Sequence, residues 1–343
     1  MCVLGLDVGG TSSRALLIDA DGRRAGYGVA GGGNPAAHGN AVAVANIGLA
    51  LRQALHGIDP GLVAGAVIGM AGAGALDRLV FDPMWASAGL RVRPRLTGDL
   101  GIAFAAGTAE PRGTVLIAGT GAIAARIEDG EPVMIADGLG WLLGDQGSGF
   151  WLGRQAARAA AHALSRGEAG GMLTRLVVDA LLEGEPLPRG RRTAGQDGPA
   201  EQGGGAGGTA AEAAEELREL AIKLVVRAQS RPTLELARLA PLVSRAAAEG
   251  DPVALEIAST AARLLCETVA EVRPAGETSP IVLAGSVLTG EGPVGPAVRE
   301  KLGAATVLAG DGAGAAAWLA GREAFGWDPA TAARLHARIV SGG

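Results

Sequence analysis

Apolar and polar positions along this chain follow two rhythms, and the first is set within the opening residues. Val3 to Val8 is a short apolar run that delivers one carboxylate, Asp7, and breaks at Gly9-Gly10. Thr11 and Ser12 follow, and Ala15 to Ile18 resumes the apolar pattern, so the stretch reads as strand, Gly-Gly turn, strand. Such a turn presents backbone N–H groups in a concave arc, which is one way to hold phosphate oxygens. It is not a Walker loop, because no Gly-Lys-Ser/Thr follows, and no helix opens after the glycines as a dinucleotide fingerprint requires. A plain hairpin is the competing reading. Ile18-Asp-Ala-Asp-Gly22 then marks a reversal, and Gly26 to Val29 a third strand. After the Gly31-Gly-Gly-Asn-Pro35 loop, the spacing predicts a helix from about Asn40 to Leu55. Val63 to Met70 reads as a buried strand ending in Ala71-Gly-Ala-Gly74. A further strand lies near Arg93 to Leu96, and Thr97-Gly-Asp99 opens a small-residue helix.

The pattern then restarts. Val115 to Gly130 repeats the design of residues 3 to 22: apolar strand, Gly/Thr turn (Gly119, Thr120, Gly121), second apolar strand and Asp-Gly reversal. Two such halves imply duplicated β-β-β-α-β-α units, each a mixed sheet flanked by helices. The second half carries an all-helical middle, with apolar positions at helical spacing over 147–165, 211–229, 233–248 and 252–272. Between them, Gly184 to Gly208 is rich in Gly, Pro, Arg and Gln and reads as a mobile insert without chemistry. Pro280 to Ser286 returns to a strand, Ala305 to Leu308 is the last one, and a small-residue helix begins at Gly310-Asp-Gly-Ala-Gly. The closing helical run, Pro329 to Val340, is placed to cross back onto the first half.

Composition narrows the function classes. At 343 residues the chain exceeds one typical core, and a hydrophobic content of 48% can fill two. A formal net charge of −5 gives no electrostatic reason to expect nucleic acid or an anionic membrane as partner. No apolar run is long enough to span a bilayer, and no secretory leader opens the chain. Cys2 and Cys266 stand far apart without partner histidines, which excludes a zinc or iron–sulfur centre built on these cysteines alone and fits a reducing cytoplasm.

The order of these landmarks resembles the actin, heat-shock chaperone and sugar kinase superfamily, in which two ribonuclease-H-like domains close over ATP. Its two phosphate segments correspond to Leu4–Asp19 and Leu116–Arg126, its adenosine segment to Val282–Leu288, and its connecting segments to Val67–Gly74 and Gly310–Ala320. Within the superfamily the chain is most similar to the N-acetylglucosamine kinase branch, including actinobacterial glucosamine kinases. The block Gly140-Trp-Leu-Leu-Gly-Asp-Gln-Gly-Ser-Gly-Phe-Trp151 carries that likeness, with Thr97-Gly-Asp99 and Asn34 where the branch contacts its sugar. Three departures stand out: Gln146 for the usual Glu, Gly98 for the usual Asn, and Ala71 where the mammalian-type enzymes place a Ser.

The resemblance implies an α/β fold with an interdomain ATP cleft, divided as 1–111, 112–320 and a returning segment 321–343. It implies an ATP- and Mg²⁺-dependent kinase acting on the 6-hydroxyl of glucosamine, with N-acetylglucosamine the close alternative, in a cytoplasmic homodimer. Asp7 would hold Mg²⁺ through its waters. Gly9, Gly10, Thr11, Ser12, Gly119, Thr120 and Gly121 would line the two phosphate turns, and Gly285, Ser286 and Gly312 the adenosine pocket. Asp99 would be the general base, although an Asp there equally suits a helix cap. Asn34, Asp145, Gln146, Trp141, Thr120 and Gly121 would face the sugar, with capping the plain alternative for Asp145, an Asn-Pro turn for Asn34, and packing as core in the hinge the preferred reading for Trp141. A more distant alternative is an activator ATPase of a CoA-ester reductase or dehydratase system, which shares the fold but needs cysteines to bridge a cluster between subunits.

Overall fold

The computed structural model describes residues 1–183 and 209–340, so the insert expected at 184–208 lies outside the described residues. Among the described residues, ten strands form two five-stranded sheets. The first holds β1 (Cys2–Val8), β2 (Ser12–Asp19), β3 (Arg24–Gly31), β4 (Val63–Met70) and β5 (Arg95–Gly98); the second holds β6 (Arg112–Ala118), β7 (Ala122–Glu128), β8 (Glu131–Asp137), β9 (Ile281–Ala284) and β10 (Thr306–Leu308). Their orders are β3-β2-β1-β4-β5 and β8-β7-β6-β9-β10, the same arrangement twice. In each sheet the first three strands pair antiparallel and the last two join in parallel. The repeat read from the glycine turns is thus a repeat of topology, and the chain has the duplicated α/β fold.

Strand alternation decides what each face of β1 meets. Leu4, Leu6 and Val8 pack with Val44, Ile47 and Leu51 of the Asn40–Ala54 helix. Val3, Gly5 and Asp7 point the other way, toward the helix Gly312–Phe325. That helix is almost entirely Ala and Gly where it is buried, and it returns the end of the chain to the first sheet. The final helix, Pro329–Val340, sets Leu335 and Ile339 in the same cluster as Leu16 and Ile18. The Asp99–Ala105 helix joins two cores: Ile102 and Ala105 belong to the first sheet's cluster, while Leu100 and Phe104 pack with Val115, Ile127 and Val282 of the second sheet.

On its far face the second sheet is covered by the helical middle, where Leu116, Ala124 and Leu283 share one core with the Gly149–Ser165, Ala210–Gln229, Ala240–Ala248 and Pro252–Val272 helices. The run expected as one helix over 233–248 is two elements, a 3₁₀ stretch Thr233–Leu239 and an α-helix Ala240–Ala248. Pro241 sits in the first turn of the second, where its missing N–H costs nothing and its ring blocks continuation from the preceding turn.

A β-carbon on Gly5 would stand 2.0 Å from Ala317 N and 2.4 Å from Ala313 O. Backbone atoms cannot rotate aside, so Gly5→Ala should destabilise the protein by about 3 kcal/mol or more, read as a lower urea midpoint. An unchanged midpoint would show that the helix does not seat on β1.

Candidate active site

Register explains why the acidic residues gather. β1 and β4 run parallel with Val8 beside Met70, and β4 and β5 run parallel with Met70 beside Gly98. Asp7, near the end of β1, and Asp99, just past β5, therefore emerge along one edge of the first sheet, the edge where open α/β sheets place their ligands. Gly312 closes over this edge, since a β-carbon on it would lie 2.5 Å from Asp7 Oδ2. Asp311 caps the same helix, its Oδ1 accepting from Ala313 N at 3.1 Å.

Electrostatics follow from the crowding. Asp7 is pushed up to about 6, first by burial; Arg14 holds it down, while Asp311 and Asp99 push it further up. Asp99 is also raised by burial, opposed by its own N–H and that of Leu100. No side chain caps the start of its helix, because Gly98 precedes it.

The first glycine turn is stitched to the neighbouring loop. Gly9 N donates to Ser12 O at 2.9 Å, Gly33 N to Gly9 O at 3.0 Å, and His38 Nε2 lies 2.6 Å from Gly10 O. Gly10 and Thr11 are left exposed, with Ser12 half-buried. Asn34 Oδ1 accepts from Ala36 N and Ala37 N, so it caps the short helix Pro35–His38. The turn-starting role is the one its oxygen fills.

The second turn is braced from its partner block. Gly119 N donates to Gly121 O at 2.9 Å, Gly149 N to Gly119 O at 2.7 Å, and Phe150 N to Thr120 O at 3.1 Å. Asp145 is buried at 9% exposure and its Oδ1 accepts from Ala122 N at 3.0 Å. A β-carbon on Gly121 would stand 2.7 Å from that oxygen, so the glycine makes room for the carboxylate. Burial raises the Asp145 carboxyl, the Ala122 N–H lowers it, and Asp137 raises it. Capping of its own helix is left to Ser148, whose Oγ accepts from Trp151 N. Asp145 and Asp137 both have positive φ, 56° and 59°. What holds Asp145 in that left-handed turn is Asp137, whose two oxygens accept from Asp145 N at 2.7 Å and Gln146 N at 2.8 Å. Trp141 stays 39% exposed, edge-on to Phe150 at 5.8 Å.

Beside this turn opens a cavity of about 480 Å³, lined by Gly119, Thr120, Ser286, Ser244, Arg245 and Glu291 among others. Gly285 is outside that lining but precedes Ser286, with φ 87° and a hypothetical β-carbon only 2.4 Å from Ala118 O, so the strand ends of β6 and β9 touch here. Gly312 is not part of that lining; it lies with Asp7. The expected residues thus form two groups, Asp7, Gly9, Gly10, Asp99 and Gly312 on the first sheet and Gly119, Thr120, Gly121, Asp145, Gly285 and Ser286 on the second. His38, Asp137, Asp311, Ser244, Arg245 and Glu291 belong to these groups without having been singled out by sequence. Only Asp137 carried a usable signal, an Asp-Gly step at the end of a strand.

Among the described residues no three His, Cys, Asp or Glu side chains converge as a metal cage. Mg²⁺ needs none, since it keeps several waters and is held by one or two carboxylates plus phosphate. A carboxylate raised first by burial and further by two acidic neighbours is a place where a divalent cation relieves repulsion, so Asp7 fits the ion.

Residues 4–307 match the BadF/BadG/BcrA/BcrD ATPase family. The chain belongs to that family. Membership implies ATP as the nucleotide. No curated protein matches the sequence. Among solved structures, a candidate N-acetylglucosamine kinase from Chromobacterium violaceum is 24% identical, covering 93% of this chain and 98% of its own, with a TM-score of 0.64. A second, from Porphyromonas gingivalis, is 17% identical over 98% of both chains, with a TM-score of 0.59. At these identities the likeness speaks for the fold, the two-domain fold of sugar kinases.

The Asp7 carboxyl titrates near 3.8 when unfolded and about 6 when folded, so between those values the native state binds more protons. Metal-free protein should therefore lose stability as pH rises through this window, by about 1–3 kcal/mol. Asp7→Asn should remove that slope and melt higher than wild type at pH 7. Thermal unfolding of both proteins in EDTA across this pH range checks it; parallel curves would show that Asp7 is not the raised group.

Proposed function

We propose that this chain is an ATP- and Mg²⁺-dependent kinase that phosphorylates the 6-hydroxyl of an amino sugar, glucosamine in preference. The observation that carries the reading is Asp99, a carboxylate raised by burial at the strand edge it shares with Asp7. A raised carboxylate is a better proton acceptor than an ordinary one, and phosphoryl transfer asks the protein mainly for positioning and charge neutralisation. Asp99 takes the proton of the attacking hydroxyl. Asp7 holds Mg²⁺ through water, and the ion neutralises charge on the phosphates. The N–H groups of the two glycine turns orient the phosphate tail, and the cavity beside Ser286 takes the nucleoside. Closure of the two lobes excludes the water that would waste ATP.

Asp145 supports the free amine. With Oδ1 committed to Ala122 N, Oδ2 remains for the sugar. Facing a protonated C2 amine it contributes a charged hydrogen bond of about 1.5–3 kcal/mol, on the order of ten- to hundred-fold over glucose. Ala71, in place of a hydroxyl, offers an acetyl group no hydrogen bond from its side chain. The candidate N-acetylglucosamine kinases that share the fold keep the acetylated sugar as the second reading.

The more distant alternative, an activator ATPase, needs cysteines to bridge a cluster between subunits. Here Cys2 is buried in β1 with its Sγ donating to Leu62 O, and Cys266 lies half-buried on the Pro252–Val272 helix. Burial raises both thiols, which disfavours the thiolate a cluster requires. The cysteines do not fit that role.

Asp99→Asn should cut turnover at least about 10²-fold while leaving ATP binding and folding intact. The wild-type rate should fall as pH drops through the raised Asp99 pKa, because protonation removes the base. Near-normal turnover in the variant would assign the proton to another group. Initial rates on glucosamine, N-acetylglucosamine and glucose decide the sugar. Faster turnover of the acetylated one overturns the preference, and Asp145→Asn should erase discrimination between glucosamine and glucose.

A further inference from the structure

His336 is a buried titratable group that the proposed phosphoryl transfer does not use. It is 8% exposed on the Pro329–Val340 helix, edge-on to Trp318 at 4.9 Å. Its Nε2 lies 2.6 Å from Ala105 O. A carbonyl oxygen only accepts, so Nε2 carries the proton and donates. Burial holds the ring below the usual imidazole range, so it is neutral near pH 7.

Ala105 ends the seven-residue helix that Asp99 begins. The last carbonyls of a helix find no partner within it and must be met from outside. Ala105 O is met by His336, and Ala106 O by Gly310 N at 2.7 Å. Asp311 N in turn donates to Val340 O at 3.0 Å, in the last turn of the helix that carries His336. The three contacts close a ring: the end of the Asp99 helix, the end of the final helix, and the loop that precedes Gly312.

We infer that His336 is a positioning residue for phosphoryl transfer, fixing the Asp99–Ala105 helix along its axis and so placing the Asp99 carboxylate. The inference rests on Asp99 acting as the base. So short a helix is not stable alone, and its place comes from tertiary contact. Leu100 and Phe104 on one side and Ile102 and Ala105 on the other grip it laterally. Apolar contact is non-directional and resists sliding poorly. The His336 hydrogen bond is directional, and its helix is seated on the first sheet through Leu335 and Ile339, so with Gly310 N on Ala106 O it supplies an axial stop, the one made by a side chain. Misplacing a catalytic group by about 1 Å is enough to cost on the order of 10²-fold.

Three variants test this. His336→Phe keeps the ring and its Trp318 contact without a donor, His336→Asn has a donor too short to reach Ala105 O, and His336→Gln carries an amide near the reach of Nε2. We expect kcat to fall about tenfold or more in the first two, with KM for ATP held within about twofold and most of kcat restored in His336→Gln. Amides of Ala103 to Ala106 should exchange with deuterium faster in His336→Phe and at the wild-type rate in His336→Gln. Wild-type kcat in a folded His336→Phe or His336→Asn overturns the inference, as does an equal loss in His336→Gln. Should His336→Phe not fold, His336→Asn against His336→Gln decides by the same readings. Exchange is read without substrate, so unchanged exchange condemns the brace itself. Full turnover in Asp99→Asn condemns the base assignment instead.

Discussion

The site depends on how closely one helix backbone approaches one strand. Ala313 and Ala317 fill the space that any side chain on Gly5 would occupy. Because Val3, Gly5 and Asp7 share a face of β1, the same approach that fits Ala317 over Gly5 lays Gly312 over the Asp7 carboxylate. The buried face of the helix, including Ala313, Gly314, Ala316, Ala317 and Gly321, is what such contact demands. Each of these residues removes little apolar area from water, so the join gains from dense dispersion contact more than from area. Trp318 is the exception, and it turns away from β1 to donate through Nε1 to Ala332 O.

That close approach has an electrostatic consequence. Drawing Gly312 in also draws in Asp311, and the first sheet's edge then holds both Asp99 and Asp311 within range of Asp7. Arg14, paired across from Asp7 in the β1–β2 register, offsets only part of the repulsion. A fold selected for stability alone would place an amide or an apolar group at position 7. The carboxylate fits a different requirement, a site whose unfavourable charge is relieved when a cation and its phosphates arrive.

Fold and site were legible to different depths. Most of both sheets could be read because short apolar runs broken by Gly-rich turns recur in the same order, and each run becomes a strand of the same rank in its sheet, although β8 (Glu131–Asp137) was not singled out. The break near Pro241 was missed, because helical spacing of the apolar positions runs on through 233–248 and hides the proline that ends the preceding turn. Partners distant in the chain were not readable. His336 meets Ala105 across 231 residues, and His38 meets Gly10 across 28, and no local pattern announces either. Asp137 and Asp145 are eight apart, but their pairing depends on two left-handed residues in succession around a glycine-rich bend. Gly312 was drawn toward the nucleoside by its segment, whereas strand alternation, applied to Gly5 and Asp7, places it with the acidic edge.

The duplication is one of topology, and chemistry breaks it. Asp7 stands one residue before the end of β1, and the matching place on β6 is Ile117, which packs toward Val115 and Val282. The end of β6 therefore carries no carboxylate, and the turn that follows it is instead supported from below by Asp145, Asp137 and the start of the Gly149–Ser165 helix. One lobe concentrates charge, while the other fixes backbone N–H groups and the walls of the cavity. Two equal acidic lobes would repel each other on closing over an already anionic phosphate tail. Under the proposed closure, a β6 end without a carboxylate leaves the second turn to meet the phosphates with its N–H groups, while Asp137 and Asp145 Oδ1 stay committed to backbone N–H groups beneath it.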